Sequence, residues 1–270
     1  MAIAKLENVN KNTKARRKKS LGKMILKSGL IGWLCILVIW QIASHFSEPM
    51  FLPSPLLTLQ GAIDLASDGT LFIYMAYSFA RVLAGWTLGL LIAVPIGLLI
   101  GTNAWIRTLL EPVINFIRFI PPLAFITLFM LWFGIGEQSK IFLIVYATFF
   151  VITINTLTGV LSISNDKIRS AQSMGASKFQ TLIYVVIPAT IPYIFTGAKL
   201  AMGSSFMAIV GAEMVAANEG IGFMIWNARL YFKTDWIFVG LVVLGLMGFL
   251  MDRLFAYAGR KLLARYKVVA

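Results

Sequence analysis

Residues 164–188 read SNDKIRSAQSMGASKFQTLIYVVIP, a polar stretch set between two apolar runs. Upstream, Ile141–Ile163 carries no charge; downstream, Ala189–Val215 is apolar except for Lys199 and Glu213. A bilayer core of about 30 Å needs roughly 20 apolar residues in a helix, and both runs reach that length. Within the stretch, Asn165 and Asp166 mark a helix start and Gly175 a break. Phe179, Leu182, Ile183 and Val186 then recur at helical spacing. Two short helices meeting at a glycine along the membrane surface account for this pattern. An interfacial connector with no partner accounts for it equally well.

The rest of the chain confirms the medium. Of 270 residues 59% are hydrophobic and only 13% charged, with a mean hydropathy of +0.83. Soluble domains hold about 45–50% apolar and about 25% charged residues, so this is an integral membrane protein. Four more apolar runs complete the count: Leu30–Phe46, Leu71–Gly101, Pro112–Phe133 and Trp236–Tyr257. The first follows a basic stretch, yet it is long for a signal peptide and no small-x-small cleavage site follows; it is read as an anchor. The expectation is an all-α protein with six transmembrane helices. Cys35 is the only cysteine and His45 the only histidine. A disulfide scaffold is thereby excluded, and an ordinary metal site or intramembrane enzyme has little material to work with.

Charge supplies the orientation. Lys and Arg number 24 against 11 Asp and Glu, a formal net charge of +13. On a soluble domain that excess points to nucleic acid; on a membrane protein it marks sides. With the N-terminus inside, segments 1–29, 102–111, 164–188 and 252–270 hold eighteen of the 24 basic residues. Outside lie only Lys140, Arg229 and Lys233, and within the spans Arg81, Arg118 and Lys199. The positive-inside rule then places both termini in the cytoplasm. The run Lys14–Lys19 reads as a topology determinant near anionic lipid rather than as a nucleic-acid arm. The chain divides into a basic cytoplasmic tail (1–29), a transmembrane domain (30–257) containing the 164–188 loop, and a cytoplasmic C-terminal tail (258–270).

Several features sit inside the bilayer. Gly85, Gly89, Ala93, Gly97 and Gly101 recur every four residues, a stripe that lets another helix approach closely, either as fixed packing or as a contact that moves during gating. Lys199 stands 11 residues beyond Pro188, roughly 16 Å into the bilayer at the helical rise. Arg118 lies beside Pro121-Pro122, which free backbone groups. Buried ionisable groups usually face an interior or a water-filled path, so Arg118 and Lys199 are candidates for lining the route of an anion. Snorkelling of Arg118 and satisfaction of Lys199 by carbonyls or a neighbouring subunit are the alternatives. Ser204, Ser205 and Glu213 follow toward the outer mouth, where Glu213 would steady a gate, meet an external partner or bond nearby backbone. The segment Ala216–Asp235 reads as an interfacial helix with glycines for a sharp re-entry.

Against this background the loop acquires a resemblance. Ala171, Gly175, and Val185, Ile187 and Pro188 fit the spacing of the EAA loop of bacterial ABC-importer permease subunits, with Arg169 and Ser170 standing where that pattern has Glu and its first Ala. Phe51-Leu52-Pro53-Ser54-Pro55, Arg118 with Pro121-Pro122-Leu123-Ala124, Trp132-Phe133-Gly134-Ile135-Gly136-Glu137 and Glu219-Gly220-Ile221-Gly222-Phe223-Met224 are similar to the permeases of taurine, aliphatic-sulfonate, nitrate and bicarbonate importers. The resemblance implies the type I importer fold in a bacterial inner membrane and import of a small anion. It implies a coupling helix that meets an ATPase through Arg169, Ala171, Gly175, Ala176, Ser177 and Phe179. For such an anion the intramembrane residues read above give the candidate translocation pathway: Arg118, Pro121, Pro122, Lys199, Ser204, Ser205 and Glu213. The partners implied are two ATPase subunits, a second permease copy (the same chain or a close homologue) and an extracytoplasmic substrate-binding protein. ATP and Mg would sit on the ATPase; this chain would hold no cofactor and do no catalysis. Consistently, no G-x-x-x-x-G-K-[ST] phosphate loop occurs; Gly22-Lys23-Met24 lacks the upstream glycine and the hydroxyl. The rival reading, an ion-coupled secondary transporter or channel, would be expected to show inverted repeats or paired broken helices, and none is visible.

Overall fold

The computed structural model describes residues 30–266, which form helices and the turns between them. The expectations for the 1–29 tail, for the last four residues and for the side of the membrane on which the termini lie fall outside the described residues. In chain order the elements are α1 (Leu30–His45), α2 (Pro55–Ser67), α3 (Thr70–Thr102), α4 (Ala104–Ile117) and α5 (Ile126–Phe133), the last entered through a 3-10 turn at Pro122–Phe125. Then come α6 (Glu137–Leu161), α7 (Asn165–Ser173), α8 (Lys178–Thr181), a π turn (Leu182–Val186), α9 (Ile187–Ala216), α10 (Ile221–Leu230) and α11 (Thr234–Leu262).

Four of these are long and apolar enough to cross a membrane: α3, α6, the continuous Lys178–Ala216 rod and α11. Two expected spans differ. The 16 residues of α1 reach only about 24 Å at the helical rise. The Pro112–Phe133 run is no straight helix, because α4 and α5 meet at 90°. The cause is Pro121-Pro122: neither residue has an N–H, so the carbonyls four residues earlier lose their helical donors. Tyr146 of α6 fills the gap, with its hydroxyl 3.0 Å from the Ile117 carbonyl and 3.1 Å from that of Ile120.

The centre of the bundle is α6, held between α3 and α9. The small-residue stripe is what α3 turns toward it. A β-carbon on Gly85 would lie 2.5 Å from Ile144 Cβ, one on Gly97 2.7 Å from Thr156 Cβ, and one on Gly101 2.6 Å from Val160 Cβ. Gly89 is equally closed by Thr148, and Ala93 packs with Ile152 and Ala201. Every fourth residue of one helix therefore meets every fourth residue of the other, within one chain. On the opposite side Gly159 of α6 abuts Tyr193 and Thr190, and Gly197 of α9 abuts Asn155.

Around this core, α2 starts at Ser54, whose side chain accepts from the Leu57 N–H, and packs on α11, with Gly61 against Asp235 and Trp236. The expected interfacial helix of segment 216–235 is instead folded into the bundle. Ile221, Met224, Ile225 and Ala228 of α10 are buried against α9 and α11, because these residues recur at helical spacing and form one apolar face. The last helix runs to Leu262 rather than Tyr257, so Ala258 to Leu262 of the expected tail are helical. The second short helix expected after Gly175 is likewise the opening of the α9 rod. Through the π turn the Ile187 N–H bonds to Leu182 O, five residues back, just ahead of Pro188, which has no N–H to offer Tyr184.

Candidate functional site

The bend between α4 and α5 leaves a cavity of about 540 Å³. Arg118, Pro121 and Pro122 line it from the elbow, Tyr146, Phe150 and Asn155 from α6, and Ser204 and Met207 from α9. Four of the seven expected pathway residues therefore meet in one place. Arg118 places its guanidinium carbon 4.8 Å from the Phe119 ring centroid, a geometry that leaves its charge available. Asn155 donates one of its two amide hydrogens to Val151 O, so Arg118, Ser204 and the second Asn155 N–H are the donors offered to a ligand. The remaining walls are mostly apolar.

The other three candidates lie elsewhere. Ser205 is buried and donates to Ala201 O at 2.9 Å. Lys199 forms a 2.9 Å ion pair with Asp252 of α11, the two side chains 37% and 55% exposed. At 100° per residue, Lys199 and Ser204 point to nearly opposite sides of α9. Glu213, wholly buried, belongs to a polar network at the far end of the bundle.

That network joins α3, α6, α9 and the first turn of α10. Arg81 of α3 donates through Nε and Nη2 to both oxygens of Glu137, at 2.6 and 2.8 Å, and through Nη1 to Glu213 Oε1 at 2.8 Å and to the Glu219 carbonyl at 2.6 Å. Lys140 also reaches Glu137, at 2.9 Å. Glu213 in turn accepts from Ser78 Oγ and from the Gly222 N–H, while Ser78 Oγ accepts from the Ile221 N–H. The turn before α10 depends on Gly220, whose φ is +122; any β-carbon there would strike the Glu213 carboxylate. The guanidinium fork and the buried Glu213 carboxylate are thus satisfied by partners within the chain, as a buried charge requires, while the Glu137 side chain remains 54% exposed. Arg81 was visible in the sequence as an intramembrane cation, but its partners lie 56 and 132 residues away and no local spacing announces them. Tyr146, which serves the carbonyls of Ile117 and Ile120, had no sequence signal beyond the two prolines that follow them.

At the opposite end is the 164–188 loop. Ala171 is buried and its carbonyl accepts from the Ala176 N–H, while the Gly175 N–H bonds to Gln172 O. Gly175 has φ +86, a left-handed turn that favours glycine. Ser177 and Gln180 form a reciprocal capping box at the start of α8. Arg169, Ser177 and Phe179 are exposed and Ala176 half-buried. Met174 is 82% and Phe179 71% exposed, apolar side chains with no cover from their own chain. Among the described residues no group of three His, Cys, Asp or Glu side chains gathers to hold a metal.

Residues 93–264, which include the elbow, the cavity lining and the loop, match the family described as binding-protein-dependent transport system inner membrane component. The chain is 35% identical over 255 residues to the taurine transport system permease protein of Escherichia coli (strain K12), covering 90% of this chain and 92% of that one. It is 34% identical over 259 residues to the bicarbonate transport system permease protein of Synechococcus elongatus, covering 92% of each. In fold it is similar to an inward-facing form of the MetNI methionine ABC transporter, with a TM-score of 0.58 at 19% identity over 80% of this chain and 98% of that chain.

Proposed function

The chain belongs to the binding-protein-dependent transport system inner membrane components, and from that premise we propose that it forms half of the membrane passage of an ATP-driven importer for a small anion of the sulfonate, taurine, nitrate or bicarbonate class. It is a multi-pass inner-membrane transport component and not itself an enzyme. The observation that carries the substrate class is the Arg118 cavity beside the broken helix, read together with relatives named for taurine and bicarbonate.

In this reading two ATPase subunits hold ATP and Mg and dock on the Gly175-turned loop. An extracytoplasmic binding protein delivers the anion at the other end and sets most of the selectivity. A second copy of the chain completes the passage. Arg169, Ala171, Gly175, Ala176, Ser177 and Phe179 transmit the movement. The chain is built for that transfer, because α8 runs through the π turn into α9 with no flexible loop between. From Lys178 to Ser204 the rod is roughly 40 Å long at the helical rise, so a tilt imposed at the loop reaches the cavity wall. There Arg118 would hold the anion by charge while Ser204 donates a hydrogen bond, and alternating access would follow from the swing of α9 against the elbow. Lys199, paired with Asp252, would keep α11 moving with α9.

The test is uptake of labelled taurine, sulfonate, nitrate or bicarbonate by proteoliposomes holding this chain with its ATPase and binding protein. Uptake that requires ATP and the binding protein is expected. Uptake driven by an ion gradient with no ATPase present would overturn the proposal.

A further inference from the structure

A second cavity, of about 820 Å³, lies where α3 and α6 end and α9 begins. Its lining joins Arg107 of the elbow helix α4 to Lys178 of α8, with Leu99, Val160, Ile163 and Leu182 among its apolar walls. No carboxylate lines it. Neither cation has an ion-pair partner among the described residues, although Arg107 is half-buried. We propose that this cavity is a binding site for one anionic phospholipid, with Arg107 and Lys178 holding the headgroup phosphate and the aliphatic walls taking the start of an acyl chain.

Three observations converge on that ligand. A cation withdrawn from water without a counter-charge is costly, as the half-buried Arg107 is, and the exposed Lys178 adds a second positive charge at the same cavity, so the site calls for an anion. The site sits at the ends of the long helices, the depth at which headgroups lie and at which basic side chains attract anionic lipid. Finally, a free phosphate would satisfy the cations yet leave the aliphatic walls uncovered, whereas a lipid covers both. A lipid seated here would bridge the elbow to the first turn of the α9 rod. Two elements that the chain joins only at a distance would then share one ligand, and membrane composition would bear on how firmly the loop is held.

The experiment is native mass spectrometry of the full chain released from nanodiscs of equal phosphatidylglycerol and phosphatidylcholine, repeated with the ATPase bound. Wild type is expected to retain phosphatidylglycerol in preference to phosphatidylcholine. Arg107→Gln and Lys178→Gln should each lower that preference about fivefold, the weight of one basic residue at an anionic surface, and Arg107→Lys should keep it. Should Arg107→Gln fold poorly, Lys178→Gln and the wild-type comparison of the two lipids decide the matter alone. Equal retention of the two lipids would overturn the proposal, as would a preference that survives in the Arg107→Gln/Lys178→Gln double variant. Displacement of the lipid by inorganic phosphate would overturn it in favour of a soluble anion. Loss of the ATPase from Arg107→Gln with lipid retention unchanged would assign the cavity to an acidic segment of that partner instead.

Discussion

Arg81 on α3 and Glu213 on α9 form a 2.8 Å ion pair across 132 residues of sequence, with Arg81 5% exposed and Glu213 fully buried. Truncation of Glu213 would remove the buried one of the two Arg81 carboxylates and leave the Ser78 hydroxyl and the Gly222 N–H without their acceptor. Glu213→Ala is expected to cost about 3–5 kcal/mol, the range for breaking a buried pair from one side. Glu213→Gln, which keeps the shape and an acceptor, should cost less. Thermal unfolding in detergent measures both, and a Glu213→Ala midpoint equal to wild type would remove the network as the lock on the α9–α10 turn.

Gly175 offers a contrast, because a β-carbon there meets nothing within 4 Å. Its φ of +86 makes a branched side chain costly by roughly 1–3 kcal/mol, but that strain is confined to the exposed turn. Gly175→Val should therefore insert and fold while losing ATPase capture in a pull-down and most ATP-dependent uptake. Normal capture and uptake would detach the loop from the coupling role.

The α3–α6 contact should be sensitive to single methyl groups. Gly97→Ala drives a β-carbon against Thr156 and is expected to destabilise by about 1–3 kcal/mol, as overpacking does. Thr156→Ala leaves that β-carbon in place, whereas Thr156→Gly removes it and should restore much of the loss. A double-mutant cycle on unfolding midpoints reads the coupling; strict additivity would mean the helices do not meet there as described.

The Lys199–Asp252 pair supports an exchange experiment. Each charge at a helix centre costs about 2.5–3.5 kcal/mol on insertion scales, so Lys199→Met or Asp252→Met alone leaves one uncompensated charge and should lower expression and stability. Lys199→Asp with Asp252→Lys should recover both. If Lys199 instead touches the transported anion, the exchanged pair will fold well and still fail in uptake.

Tyr146→Phe removes only a hydroxyl, yet that hydroxyl serves the carbonyls of Ile117 and Ile120 at the elbow. A loss of about 0.5–1.5 kcal/mol is expected, together with faster hydrogen exchange at the residues flanking Pro121. Unchanged exchange there would show that the prolines hold the bend unaided.

Hydropathy made the long helices legible, since α3, α6, the α9 rod and α11 each bury or present apolar residues over their whole length. It misread Pro112–Phe133 because composition does not register direction: the same apolar residues serve a straight span or two arms at 90°. The loop was legible for a local reason, as Gly175, the Ser177–Gln180 box and the small alanines act within a few residues of one another. The cavity was legible in part, through the cation beside the proline pair. The tail was set to begin at residue 258 because Arg260 and Lys261 end the apolar run, although the helix continues through both. What stayed hidden were pairings set by tertiary packing, Arg81 with Glu137 and Glu213, and Lys199 with Asp252.

The Arg81 network also has a history within each molecule. The ribosome makes Arg81 well before either carboxylate that neutralises it, with Glu137 56 residues later and Glu213 132 residues later. At about 5–20 residues per second, the wait for Glu213 is roughly 7 to 26 seconds. For the first part of that interval, until Glu137 is made, α3 carries a cation with neither carboxylate partner yet synthesised. The glycines below Arg81 give α3 a docking surface for α6 as soon as that helix arrives, so Glu137 can reach the guanidinium before α9 exists. The order of synthesis thus makes the tight α3–α6 seam the step on which the later charges can assemble.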